Sequence, residues 1–119
     1  MTATDRAIEL TRAAAAAAAD KQAADIIAFD VSEQLAITDV FLLCSASNQP
    51  QMNAVKDSIE ERLLEIGAKT IRREGQRESR WILMDYGDIV VHVQHSEERA
   101  FYALERLWSD CPTIDLKLS

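Results

Sequence analysis

A chain of 119 residues has the length of one domain, and a hydrophobic fraction of 48% supports a packed core. With 20 acidic side chains against 13 basic ones the formal net charge is −7, which disfavours direct, sequence-specific nucleic-acid binding and suits either a basic protein partner or solubility alone. No apolar run approaches the roughly 18 residues needed to cross a bilayer, and two cysteines are too few for a disulfide framework.

The first element expected is a helix from about Asp5 to Lys21, carried by the unbroken run Ala13 to Ala19. Alanine buries little area, so this helix reads as a weak anchor, a cap or a surface for close packing on a partner. Asp5 and Glu9 interrupt any secretory pattern, which places the protein in the cytoplasm. The division expected is an alanine-rich helix at 1–22 and an α/β domain at 23–119. Asp25 to Val31 has strand composition, and Val40 to Cys44 is continuously apolar, as in a strand buried on both faces. Pro50, with Asn48 and Gln49 just outside, opens a second helix whose apolar stripe runs through Met52, Val55, Ile59, Leu63 and Ile66 to Gly67. A short strand is expected over Ala68 to Glu74 and a charged turn over Gly75 to Arg80.

Trp81 to Val93 then reads as two apolar strands joined by a tight acidic turn at Asp85, Tyr86, Gly87 and Asp88, with Gly87 supplying the positive φ. Ser96 caps a last helix bearing Ala100, Phe101, Leu104, Leu107 and Trp108, stopped by Pro112. The order αββαβββα predicts a single α/β domain, a mixed sheet of about five strands with helices packed against it.

The chemistry to be tested is sparse. His92 and His95 stand three apart, and on one strand that spacing turns them to opposite faces, so no zinc pair is expected. Asp85 and Asp88 could hold magnesium for phosphoryl transfer, yet a glycine-rich phosphate loop and a third acid at a useful spacing are missing. Ser45 and Ser47 lack the flanking glycines of a nucleophile elbow. Cys44 and Cys111 are expected as reduced thiols.

Four segments carry a resemblance: Ala24 to Ile27, Ile37 to Phe41, Trp81 to His92 and Tyr102 to Trp108. In this order they are similar to the ribosomal silencing factors, the RsfS or Iojap family, over about Asp20 to Leu116. The Trp81…Asp85-Tyr86-Gly87-Asp88…His92 segment with the Leu104-Glu105-Arg106-Leu107-Trp108 ending is the specific part. The alanine-rich helix and Ser45 to Asn48, where relatives often have a glycine, depart from the pattern.

The resemblance implies a nucleotidyltransferase-like fold without that activity. It also implies docking on the large ribosomal subunit through ribosomal protein L-fourteen. Docking there blocks joining of the small subunit and represses translation under nutrient limitation, with no enzyme activity, cofactor or metal. In the hairpin, Trp81, Leu83 and Asp85 share one face, and Trp81 is the natural anchor. Asp85, Tyr86 and Asp88 would meet lysine or arginine of the partner, and Thr38 and Asp39 match the family's pattern. Core filling by Trp81, turn chemistry at Asp85 to Asp88, and capping or loop closure by Thr38 and Asp39 are the structural alternatives. Two functional ones stand beside the leading reading: a magnesium-dependent nucleotidyltransferase-like enzyme using Asp85 and Asp88, and a homodimer pairing through its open sheet face.

Overall fold

The structure is a computed structural model that describes residues 2–75 and 79–118, with the backbone alone for Phe101 and Tyr102. It contains α1 (Asp5–Asp20), β1 (Ala24–Asp30), β2 (Val40–Ala46), α2 (Gln49–Glu65), β3 (Arg72–Glu74), β4 (Trp81–Asp85), β5 (Ile89–His95) and α3 (Ser96–Tyr102), followed by a 3₁₀ turn at Leu104–Arg106. The sheet order is β1-β2-β5-β4-β3. Only the central pair β2–β5 is parallel; β1–β2, β5–β4 and β4–β3 are antiparallel. The predicted mixed five-stranded α/β domain is the one observed. Residues 76–78, the middle of the turn expected over Gly75 to Arg80, lie outside the described residues.

Both long helices lie on one face of the sheet. Alternate residues of the central strands point at them: Val40, Leu42 and Cys44 from β2, Ile82 and Met84 from β4, Ile89, Val91 and Val93 from β5. α2 contributes Met52, Val55, Ile59 and Leu63 to this core. Asn48 caps it by accepting from the Gln51 N–H at 2.8 Å. At its other end Gly67 (φ 87°) turns the chain, with Ala68 N–H donating to Leu63 and Gly67 N–H to Leu64, a Schellman closure.

α1 corrects the expectation of a weak anchor. Ala7, Leu10, Thr11, Ala14, Ala15, Ala17 and Ala18 are buried, and the helix packs on both α2 and the sheet. Each methyl buries little area, but its smallness lets the helix axes approach closely. The Ser58 hydroxyl reaches the Ala17 carbonyl at 3.1 Å. The alanine run is therefore a packing surface within the main core.

Two further expectations are corrected. β3 is only three residues, Arg72–Glu74, all exposed at the sheet edge. The last helix stops at Tyr102, because Ala103 takes left-handed geometry (φ 46°) and redirects the chain. Arg99, whose guanidinium Nε lies 2.9 Å from Glu105, ties the two segments together. The redirected chain lays Leu104, Trp108 and Cys111 over Phe29, Val31 and Leu43 on the second face of the sheet. Leu107, expected on an apolar helix face, is left exposed; the Phe101 side chain lies outside the described set. Cys44 and Cys111 are free thiols, as expected, and burial pushes the Cys44 thiol up to about 12.

Candidate protein-docking face

Three cross-strand rows build the second face of the sheet: Asp85–Val90–Phe41–Phe29, Leu83–His92–Leu43–Ile27 and Trp81–Gln94–Ser45. The C-terminal segment covers the β1 and β2 half. On the β4 half, Trp81, Leu83 and Asp85 remain part-exposed, while their alternates Ile82 and Met84 are buried under the helices. The hairpin alternation read from the sequence thus holds: three candidate residues share one accessible face.

Trp81 is held by chemistry that the sequence reading missed. Its indole Nε1–H donates to His92 Nδ1 at 3.1 Å, with the ring centroids 6.0 Å apart. Phe41 stands edge-on to His92 at 5.2 Å, and Trp108 edge-on to Phe41 at 5.1 Å. The row Trp81–His92–Phe41–Trp108 therefore runs from the accessible half of the face to the covered half. His92 is 6% exposed, and burial pushes its imidazole down to about 4, so the ring is neutral at pH 7. The signal for this row lay in the period-two alternation of β2 and β5, which only becomes a face once the strand order is known.

The acidic turn closes as predicted. Asp85 Oδ1 accepts from Gly87 N–H at 2.8 Å, Gly87 adopts φ 84°, and Tyr86 N–H donates to the Ile89 carbonyl. Asp88 is exposed at its tip. Tyr86 is not part of the rim: it is 7% exposed within the helix-side core, and burial pushes its hydroxyl pKa up. Thr38 is likewise buried, at 5% exposure. Asp39 closes the loop, its N–H donating to the Asp88 carbonyl and its carboxylate accepting from the Thr4 N–H. Tyr86 and Thr38 are thus buried, while their chain neighbours Asp85 and Ile37 are at least part-exposed. Ile37, beside Thr38, is 83% exposed and was not singled out by sequence.

His92 and His95 do diverge: His95 ends β5 and its Nδ1 accepts from the Glu97 N–H at 3.2 Å, capping α3. Among the described residues no group of three or more His, Cys, Asp or Glu side chains is placed to hold a metal ion. Nor, among them, is any helix long and apolar enough to cross a membrane. What the face offers is an aromatic anchor, an aliphatic neighbour and an acidic rim on a rigid sheet, the equipment of a protein-binding module.

Comparison with known proteins sharpens that class. Residues 4–119 match the family model described as "Ribosomal silencing factor during starvation". The Ribosomal silencing factor RsfS of Bacillus subtilis is 42% identical over 107 residues, covering 90% of this chain and 91% of the relative. A crystal structure of a Chromobacterium violaceum protein superposes with a TM-score of 0.81 at 31% identity, over 85% of this chain and 84% of that one. A Bacillus halodurans structure gives 0.78 at 37% identity, over 90% and 97%. The chain belongs to the ribosomal silencing factor family.

Proposed function

We propose that this protein docks on the large ribosomal subunit through ribosomal protein L-fourteen, using Trp81, Leu83 and Asp85 with Asp88 at the rim. In that position it sterically blocks association with the small subunit and represses translation when nutrients are scarce. It acts in the cytoplasm as a binding protein, without catalytic turnover or cofactor. The observation that carries this reading is the part-exposed Trp81 beside Leu83 on the uncovered half of the sheet's second face, with Asp85 and Asp88 at its rim. A tryptophan in such a setting is the residue type that dominates interface energetics. The net charge of −7 suits a basic ribosomal surface.

The test is sedimentation of the protein with purified large subunits, followed by addition of small subunits. Wild type should travel with the large subunit and reduce joined ribosomes. Trp81→Ala should lose on the order of 2 kcal/mol of binding, about thirtyfold in affinity, while staying folded. A folded Trp81→Ala that blocks joining as well as wild type would place the docking face elsewhere. Free protein sedimenting as a dimer that Trp81→Ala dissociates would assign the face to self-pairing.

A further inference from the structure

We infer that His92 is a positioning residue for docking: by accepting the Trp81 indole N–H it presets the indole in the orientation that meets the partner. This rests on the docking reading above.

The geometry has a direction. An indole N–H can only donate, so Nδ1 of His92 must be the acceptor and Nε2 must carry the ring proton. That Nε2 is buried and finds no hydrogen-bond partner among the described residues. A phenylalanine at this position would fill similar space, face Phe41 equally well and leave no orphaned donor, so packing alone does not favour histidine. What histidine adds is the acceptor under Trp81. The acceptor is also well founded. His92 sits on the central strand β5, paired to β2 on one side and β4 on the other, and its ring is braced edge-on by Phe41, itself braced by Trp108. Burial keeps the imidazole neutral, so Nδ1 retains its lone pair at physiological pH. A side chain already fixed in its bound rotamer has less freedom to lose on association, and the gain appears as affinity without any new contact.

The experiment uses the full chain with purified large subunits, and compares His92→Phe, His92→Asn and Trp81→Ala. Asparagine places its amide oxygen near the position of Nδ1, so it can accept the indole N–H; phenylalanine cannot. His92→Phe should weaken binding by about three- to tenfold at an unchanged unfolding midpoint, the span of one net hydrogen bond. His92→Asn should recover most of that loss. The readout that a merely structural role would not move is the Trp81 indole ¹⁵N–H: its exchange with solvent should be slow in wild type and His92→Asn, fast in His92→Phe. Wild-type affinity in a folded His92→Phe overturns the inference, as do equal losses in the two His92 variants. If His92→Phe unfolds easily, His92→Asn decides alone: a protected indole N–H with affinity near wild type supports positioning, and a protected N–H with lost affinity overturns it. Retained binding by Trp81→Ala instead overturns the docking face, a result separable from the others.

Discussion

The Asp39 carboxylate accepts the backbone N–H of Thr4 at 3.1 Å, joining the loop before β2 to the first residue of the α1 cap. One strand further out, Asp30 does the same for the N–H of Ala3 at 2.9 Å. Two carboxylates at one end of the sheet thereby satisfy donors at the start of the alanine-rich helix, where the helix dipole also favours negative charge. Asp39, which matches the family's pattern, thus also closes a loop and supports the helix start.

Asp39→Ala is therefore expected to destabilise the protein by about 1 kcal/mol, the usual loss for a helix-start acceptor, with affinity for the large subunit near wild type. Asp39→Asn, which keeps an acceptor, should lose less. Urea unfolding midpoints measured beside binding check this. A stable Asp39→Ala that binds poorly would return Asp39 to the contact surface.

The burial of α1 predicts an asymmetry along its alanines. Ala17 is buried against α2 near Ser58, whereas Ala19 is exposed. Ala17→Leu should cost about 1–3 kcal/mol by overpacking, and Ala19→Leu very little. Equal thermal midpoints for the two variants would mean that α1 is not held as described.

Stability should also depend on pH through His92. Its folded pKa of about 4 lies below the ordinary 6.5. Between those values the unfolded chain takes up a proton that the folded one refuses. The neutral ring's contribution is thus complete above pH 6.5 and is lost as pH falls toward 4, by on the order of 3 kcal/mol. The mapped ring neighbours Trp81 and Phe41 carry no charge, so desolvation alone sets the direction. Unfolding free energies from pH 7 to pH 4.5 should fall more steeply in wild type than in His92→Phe. Parallel curves would show that His92 titrates normally.

Salt gives an independent check on the acidic rim. Exposed carboxylates attracting a basic partner raise the association rate and are screened as ionic strength rises. Binding to the isolated ribosomal protein should weaken between low and high salt, mostly through slower association. Salt-independent affinity would leave the net charge of −7 with a role in solubility only.

Much of this architecture is written locally. The stripe Met52–Val55–Ile59–Leu63, the Gly67 stop and the acidic hairpin turn each depend on neighbours within a few residues, and each is where the periodicity puts it. Trp81, Leu83 and Asp85 share a face because a strand alternates. The failures are all non-local. Alanines read as a poor anchor until α2 is seen close enough to use them. That Tyr86 and Thr38 are buried depends on how the turn and loop sit against the core, which the local pattern does not give. The halt at Ala103 goes with Leu104 and Trp108 packing on the sheet's second face, a tertiary contact invisible in the helical pattern. The divergence of His92 and His95 follows from their spacing on one strand, but the contact of His92 with Phe41 needs β2 beside β5.

That last adjacency has a consequence for synthesis. β2 and β5 are parallel neighbours although α2, β3 and β4 lie between them in the chain. Their pairing is the long-range step of folding, with a loop to close before it gains anything. α1, the β1–β2 pair and α2 all precede Trp81 in the chain, whereas the support beneath Trp81 comes from β5, which follows it. A product cut short before Ile89 therefore lacks β5 and with it the His92 acceptor beside Trp81. The Trp81–His92 contact that orders this face is therefore complete only with the last quarter of the sequence.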